Sequence, residues 1–137
     1  MTDSDTLVSK PGFLSITFKE DPSCIYFAWE DFSISLDDCV DAFGRAEKAM
    51  VERGVFRIIT DTTKVKQALR PEVAKWWGEA CMPSLAKCGV KLIVSVMPAG
   101  APQQSARSGQ GEVVNTIVLQ SARSVSEAES LLRAFKA

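Results

Sequence analysis

Residues 90–97 read VKLIVSVM, a nearly unbroken apolar run closed by Pro98, Ala99, Gly100, Ala101 and Pro102. The run is short, rich in β-branched residues and ended by residues that break a ladder, so it reads as a central β-strand. Upstream, VFRIIT at 55–60 is a second strand of the same interior type. Between them lies a polar stretch over 61–70, and then Pro71 opens a helix at the first-turn position, where its missing N–H costs nothing. Val73, Trp76, Trp77 and Ala80 are the expected buried side of that helix. Pro83 extends it only at a penalty of about 3 kcal/mol, so a kink or a break into two pieces is expected near Met82. Gly89 ends the second piece.

Toward the N-terminus, Leu14, Ile16 and Phe18 alternate with Ser15, Thr17 and Lys19, the pattern of a half-buried strand. A turn at Glu20-Asp21-Pro22-Ser23 leads to a second strand with Ile25, Phe27 and Trp29 on one face, which makes a β-hairpin. Because the first strand has a polar face, the helices are expected mainly on one face of the sheet. Ser35 with Asp38 resembles a capping box, and Leu36, Cys39, Val40, Phe43, Ala46 and Met50 follow at helical spacing up to a stop at Gly54. Residues 1–12 are polar, end in Lys10-Pro11-Gly12 and show no period, so they read as a disordered tail ahead of a single α/β domain over 13–137.

Toward the C-terminus, 98–111 is rich in Gly, Ser, Gln and Pro and exceeds the roughly 12 residues beyond which structureless loops become unusual. It reads as a functional lid or a flexible connection. A last strand is expected over 113–119, then a helix signalled by Ser124 and Glu127, with Ala128, Leu131, Leu132 and Phe135 buried. The pentapeptide QSARS occurs at 104–108 and again at 120–124, both in stretches expected to be exposed, but it is too short to define a structural repeat.

A chain of 137 residues can bury a core as one domain without staples. Sixteen basic residues nearly cancel seventeen acidic ones, so no positive field draws the chain to nucleic acid or to anionic lipid. The opening MTDSDTLVSKPG lacks the basic start and apolar stretch of a secretion signal, and no run reaches the roughly 18 apolar residues of a membrane span. The expected location is the cytoplasm. Cys24, Cys39, Cys81 and Cys88 form no Cys-x-x-Cys pair, and buried free thiols are expected in place of a metal site.

The chain has no histidine, which removes Ser-His-Asp and Cys-His catalysis and the commonest general base near neutral pH. What remains is a carboxylate, lysine or cysteine with a shifted pKa, and no spacing points to one, so no catalytic, cofactor or metal residue is assigned. The best-placed polar cluster is Asp61-Thr62-Thr63-Lys64, directly after a strand, because α/β sheets bind ligands beyond the carboxyl ends of their strands. The plainer reading is that these side chains satisfy turn amides. Arg70, beside a helix start, is a candidate anion contact or a solvated arginine. Trp76 and Trp77 stand 100° apart on a helix, so one is expected partly exposed, either as an interface anchor or as cover for the sheet edge. Arg107, in the long loop with Ser105, Ser108 and Gly109, completes the candidate partner or ligand surface, although the loop matches no phosphate-binding fingerprint.

The order of hairpin, helix, strand ending in Asp61, helix and strong strand resembles the STAS domains of bacterial anti-sigma-factor antagonists. FRIITDTTKV, the tryptophan-bearing helix, Pro83, Gly89, VKLIVSVMP and the late SEAESLL resemble the small SpoIIAA-like proteins related to them. The resemblance covers about residues 13–135. It implies a four- to five-stranded mixed sheet with helices stacked on one face, and a regulatory, non-enzymatic role in binding a protein partner, with a second copy of the chain among the candidates. The phosphorylatable serine of that family has no counterpart here, since Leu69-Arg70-Pro71-Glu72 occupies its region. The alternative is a small apolar-ligand-binding domain with 98–111 as its lid. An enzyme using Asp61 and Lys64 comes third, on position alone.

Overall fold

The computed structural model describes residues 4–20, 23–65, 70–97, 112–114 and 116–135. Among them, seven strands form one mixed sheet in the order β1-β2-β3-β4-β5-β7-β6. β1 (Ser4–Lys10), β2 (Leu14–Glu20) and β3 (Ser23–Trp29) form an antiparallel meander. β4 (Arg57–Asp61), β5 (Leu92–Val96) and β7 (Ile117–Ala122) continue from β3 in parallel, and β6 (Glu112–Val114) returns antiparallel on the outer side of β7. The α/β class and the mixed sheet agree with the sequence reading, whereas the strand count exceeds the four to five expected.

Two corrections account for the difference. Residues 4–10 are not a tail: they form β1 along β2, and Val8, at 3% exposure, belongs to the core. Between Thr6 and Val8 the register shifts, which erases the alternation a strand normally shows in its sequence. Lys10-Pro11-Gly12 is the connecting turn, in which the Phe13 amide donates to the Lys10 carbonyl and Gly12 adopts a φ of 84°. Residues 1–3 lie outside the described residues. The strand expected over 113–119 is a hairpin, because Val114 pairs with Ile117 and Thr116 takes a φ of 69°. The second QSARS copy therefore begins within β7, where Ala122 is buried and not exposed as expected; the first copy lies outside the described residues.

α1 (Leu36–Arg53) is set by its ends: Ser35 Oγ accepts the Asp38 amide at 3.2 Å, and Gly54, at φ 67° and ψ 32°, donates its amide to the Met50 carbonyl. Its buried side is Cys39, Ala42, Phe43, Ala46, Ala49 and Met50, while Val40, read as apolar-facing, is exposed. α2 (Pro71–Trp76) and α3 (Met82–Lys87) are joined without a break by a π-helical turn over Trp77–Cys81. Pro83 lacks the N–H for an α-helical bond, and its ring would press on the carbonyl four residues back. The chain relieves this by widening one turn, so that the Met82 amide reaches the Trp77 carbonyl. The extra residue advances the helix phase: Cys81, Met82 and Leu85 are buried and Ala80, expected inside, is exposed.

Side chains alternate across the sheet between two cores. Ile25, Phe27, Ile58 and Ile93 meet α1, α2, the π turn and α3. Cys24, Ile59, Leu92, Val94 and Val96 meet α4 (Val125–Ala134) on the opposite face. The helices thus lie mainly on one face, as the polar side of β2 suggested, with α4 alone behind the sheet. α4 packs on β4, β5 and β7. Cys24, Cys39 and Cys81 are buried free thiols, and Cys88 is half-buried.

Candidate functional site

The parallel strands carry their carboxyl ends to one rim of the sheet, where Trp29, Asp61 and Val96 end β3, β4 and β5. On the α1 face of that rim lies a cavity of about 150 Å³. Its floor is Thr60 of β4 and Ser95 of β5, with Thr62 just past the end of β4. Its walls are aromatic, from Trp29 and Phe32 beside the end of β3, Phe43 of α1 and Trp77 of the π turn. Cys39 and Val73 complete the lining.

These rings brace one another. Phe43 is the hub, with its centroid 4.8 Å from Phe27, 6.3 Å from Trp29, 5.5 Å from Trp76 and 5.3 Å from Trp77. Both tryptophans meet it edge to face, each at an interplanar angle of 76°, the arrangement the ring quadrupoles favour. The π turn brings Trp76 and Trp77 to the same phenyl ring despite their spacing along the helix. Both are half-buried, so neither stands free as an exposed anchor. Opposite them, Trp29 and Phe32 pack edge to face at 5.1 Å.

The floor is unusual in its chemistry. Thr60 is the buried polar residue among the described residues, at 8% exposure. It pairs in register with Ser95, which pairs with Ser121, so three hydroxyl side chains lie in a row on one face. Thr60 Oγ1 donates to Ser95 Oγ at 3.1 Å. Thr62 commits its hydroxyl to the Val96 carbonyl at 2.8 Å. Burial pushes the Cys39 thiol up to about 11, so it lines the cavity as a neutral group. Among the described residues the lining carries no ionised side chain.

Asp61 points the other way, onto the α4 face. Tyr26 Oη donates to Asp61 Oδ2 at 2.6 Å, and the Thr63 amide and hydroxyl donate to Oδ1 at 3.0 and 2.7 Å. Partial burial alone would raise this carboxyl, but the bonds from Tyr26 and Thr63, with the Lys64 charge nearby, outweigh it and hold Asp61 below the usual carboxylate range. Burial, then the bond to Asp61, pushes the Tyr26 phenol up. A carboxylate so saturated is a weak base, and its geometry is that of a turn organiser. Lys19 Nζ lies 4.6 Å from the Tyr26 ring centroid and 3.1 Å from Glu129 Oε2, which ties this corner to α4.

The candidate surface read from the sequence is therefore divided. Thr62 and Trp77 line the cavity, Trp76 backs it, Asp61 and Thr63 form the turn behind the sheet, and Lys64 is exposed. Arg70 is exposed at the start of α2, and its Nε donates to the Ser33 carbonyl at 2.7 Å, joining the β3–α1 loop to the helix beside the cavity. Arg107 and the 98–111 segment lie outside the described residues. Trp29, Phe32, Cys39, Phe43, Thr60, Val73 and Ser95 were not singled out as site residues in the sequence. Thr60 and Ser95 did carry a signal, a hydroxyl interrupting each of two apolar strands.

No family model, no curated protein and no solved structure matches this chain. Among the described residues, no group of Cys, Asp and Glu could hold a metal, and no helix is long and apolar enough to cross a membrane.

Proposed function

We propose that this chain is a binding domain for a small apolar ligand, held in the cavity between the β3–β4–β5 rim and the π turn. The observation that carries this reading is the aromatic-walled cavity itself, at the carboxyl ends of parallel strands where α/β sheets receive their ligands. An engineered apolar cavity of about 150 Å³ takes up benzene, so a single ring is the scale of occupant expected here. The described lining residues supply no nucleophile–base pair, and the role proposed is recognition.

The test is a thermal melt with small apolar molecules such as toluene. A ligand at about 100 times its Kd stabilises the folded state by about 2.7 kcal/mol. A rise in Tm that vanishes in Val73→Phe, which fills the cavity, is the expected result. No rise in the wild-type chain would overturn the reading. The regulatory protein-interaction role implied by the STAS and SpoIIAA-like resemblance ranks second, because its candidate surface from Asp61 to Trp77 is split between two faces of the sheet.

A further inference from the structure

Resting on that reading of the cavity, we infer that its ligand is an uncharged single-ring aromatic bearing one hydroxyl group, the phenol class, whose ring lies among Phe43, Trp77 and Trp29 and whose hydroxyl meets the Thr60–Ser95 pair.

The floor sets the polar requirement. An interior position in a parallel sheet under a helix is ordinarily apolar, and Ile58 and Ile93, two residues back on the same strands and face, keep that rule. Thr60, buried, and Ser95, half-buried, break it side by side. Their mutual bond uses one hydrogen and one lone pair, and two hydroxyls together carry two hydrogens and four lone pairs. One hydrogen and three lone pairs are left over on two residues that line the cavity, the complement of a group that both donates and accepts. A hydroxyl does both.

The walls set the charge. A carboxylate among Phe32, Phe43, Val73 and Trp77 would lose its hydration with no cation among the described lining residues to replace it. Cys39 is a neutral thiol and adds no charge of either sign to the lining. Among the described residues Arg70 is a nearby cation, but its Nε is engaged by the Ser33 carbonyl outside the lining. Edge-to-face aromatic walls favour a planar ring over a branched alkyl group of equal volume.

The experiment titrates the full chain with p-cresol, toluene and benzoate, following tryptophan fluorescence from Trp29 and Trp77 with calorimetry in parallel. The expected order is p-cresol tighter than toluene by about tenfold, the weight of a buried hydrogen bond, with no benzoate binding. In the Thr60→Val/Ser95→Ala double variant the tenfold preference disappears while toluene binding persists, which also certifies that the variant is folded. Equal affinity for p-cresol and toluene in the wild-type chain overturns the hydroxyl inference and leaves the cavity reading intact. Benzoate binding most tightly overturns the uncharged class and shifts recognition to Arg70. Binding of none of the three overturns the cavity reading and this inference together.

Discussion

Tyr26 Oη and Asp61 Oδ2, on neighbouring parallel strands, are 2.6 Å apart, and this bond fixes the turn that follows β4. Asp61 has a folded pKa below its unfolded one, so its contribution to stability is present above about pH 4 and is lost as pH falls through the folded value. Tyr26→Phe should cost about 1–2 kcal/mol at pH 7, at the lower end for a charged hydrogen bond because the site is partly exposed. The difference from wild type should shrink as pH drops below about 4. Urea unfolding at a series of pH values measures it, and a pH-independent difference would assign the loss to packing.

Removing residues 1–12 should destabilise the chain, since β1 places Val8 in the core and Lys10 against Asp41 at 2.9 Å. Val8 alone is worth about 1.5–3 kcal/mol of burial. A truncated chain with an unchanged urea midpoint would return this segment to the status of a tail.

Deleting Ala80, an exposed residue of the π turn, restores α-helical phase on both sides but sets Pro83 against the carbonyl four residues before it. A loss of about 3 kcal/mol is expected. Adding Pro83→Ala to the deletion should recover most of it, and additive losses would show that the turn has another cause.

Phe43→Ala removes the ring on which Phe27, Trp29, Trp76 and Trp77 converge. The expected cost is about 3–5 kcal/mol, with a red shift in tryptophan emission. A loss below 1 kcal/mol in chemical denaturation would contradict the packing described, on the usual scale for such truncations.

Iodoacetamide at pH 8 should modify Cys88 first, because it is half-exposed. Burial holds the Cys24 and Cys39 thiols up at about 11, and they should react at the rate of global unfolding. Peptide mass mapping over time reads the order.

Much of the fold was legible where a local signal coincides with a structural unit. The alternation around Ile16 and Phe27, the Ser35 cap, Gly54 and the apolar run of β5 each specify their element alone. Two of the failures share a cause: one residue out of phase. The shift between Thr6 and Val8 hid β1, and the π turn moved burial from Ala80 to Cys81. Thr116 reverses the chain without the glycine that marks such turns. For the site, Thr60 and Ser95 were visible singly, but their adjacency depends on the parallel register of β4 and β5, which no local pattern encodes.

Leu7 stands outside the ladder that pairs Thr6 with Thr17 and Val8 with Ile16. An edge strand so interrupted is bent and more strongly twisted than a regular one. A flat row of unpaired amides and carbonyls is the template on which a strand from another chain grows. β1 lacks that flatness, so the same segment that closes the core over Val8 also guards the sheet against strand-by-strand aggregation.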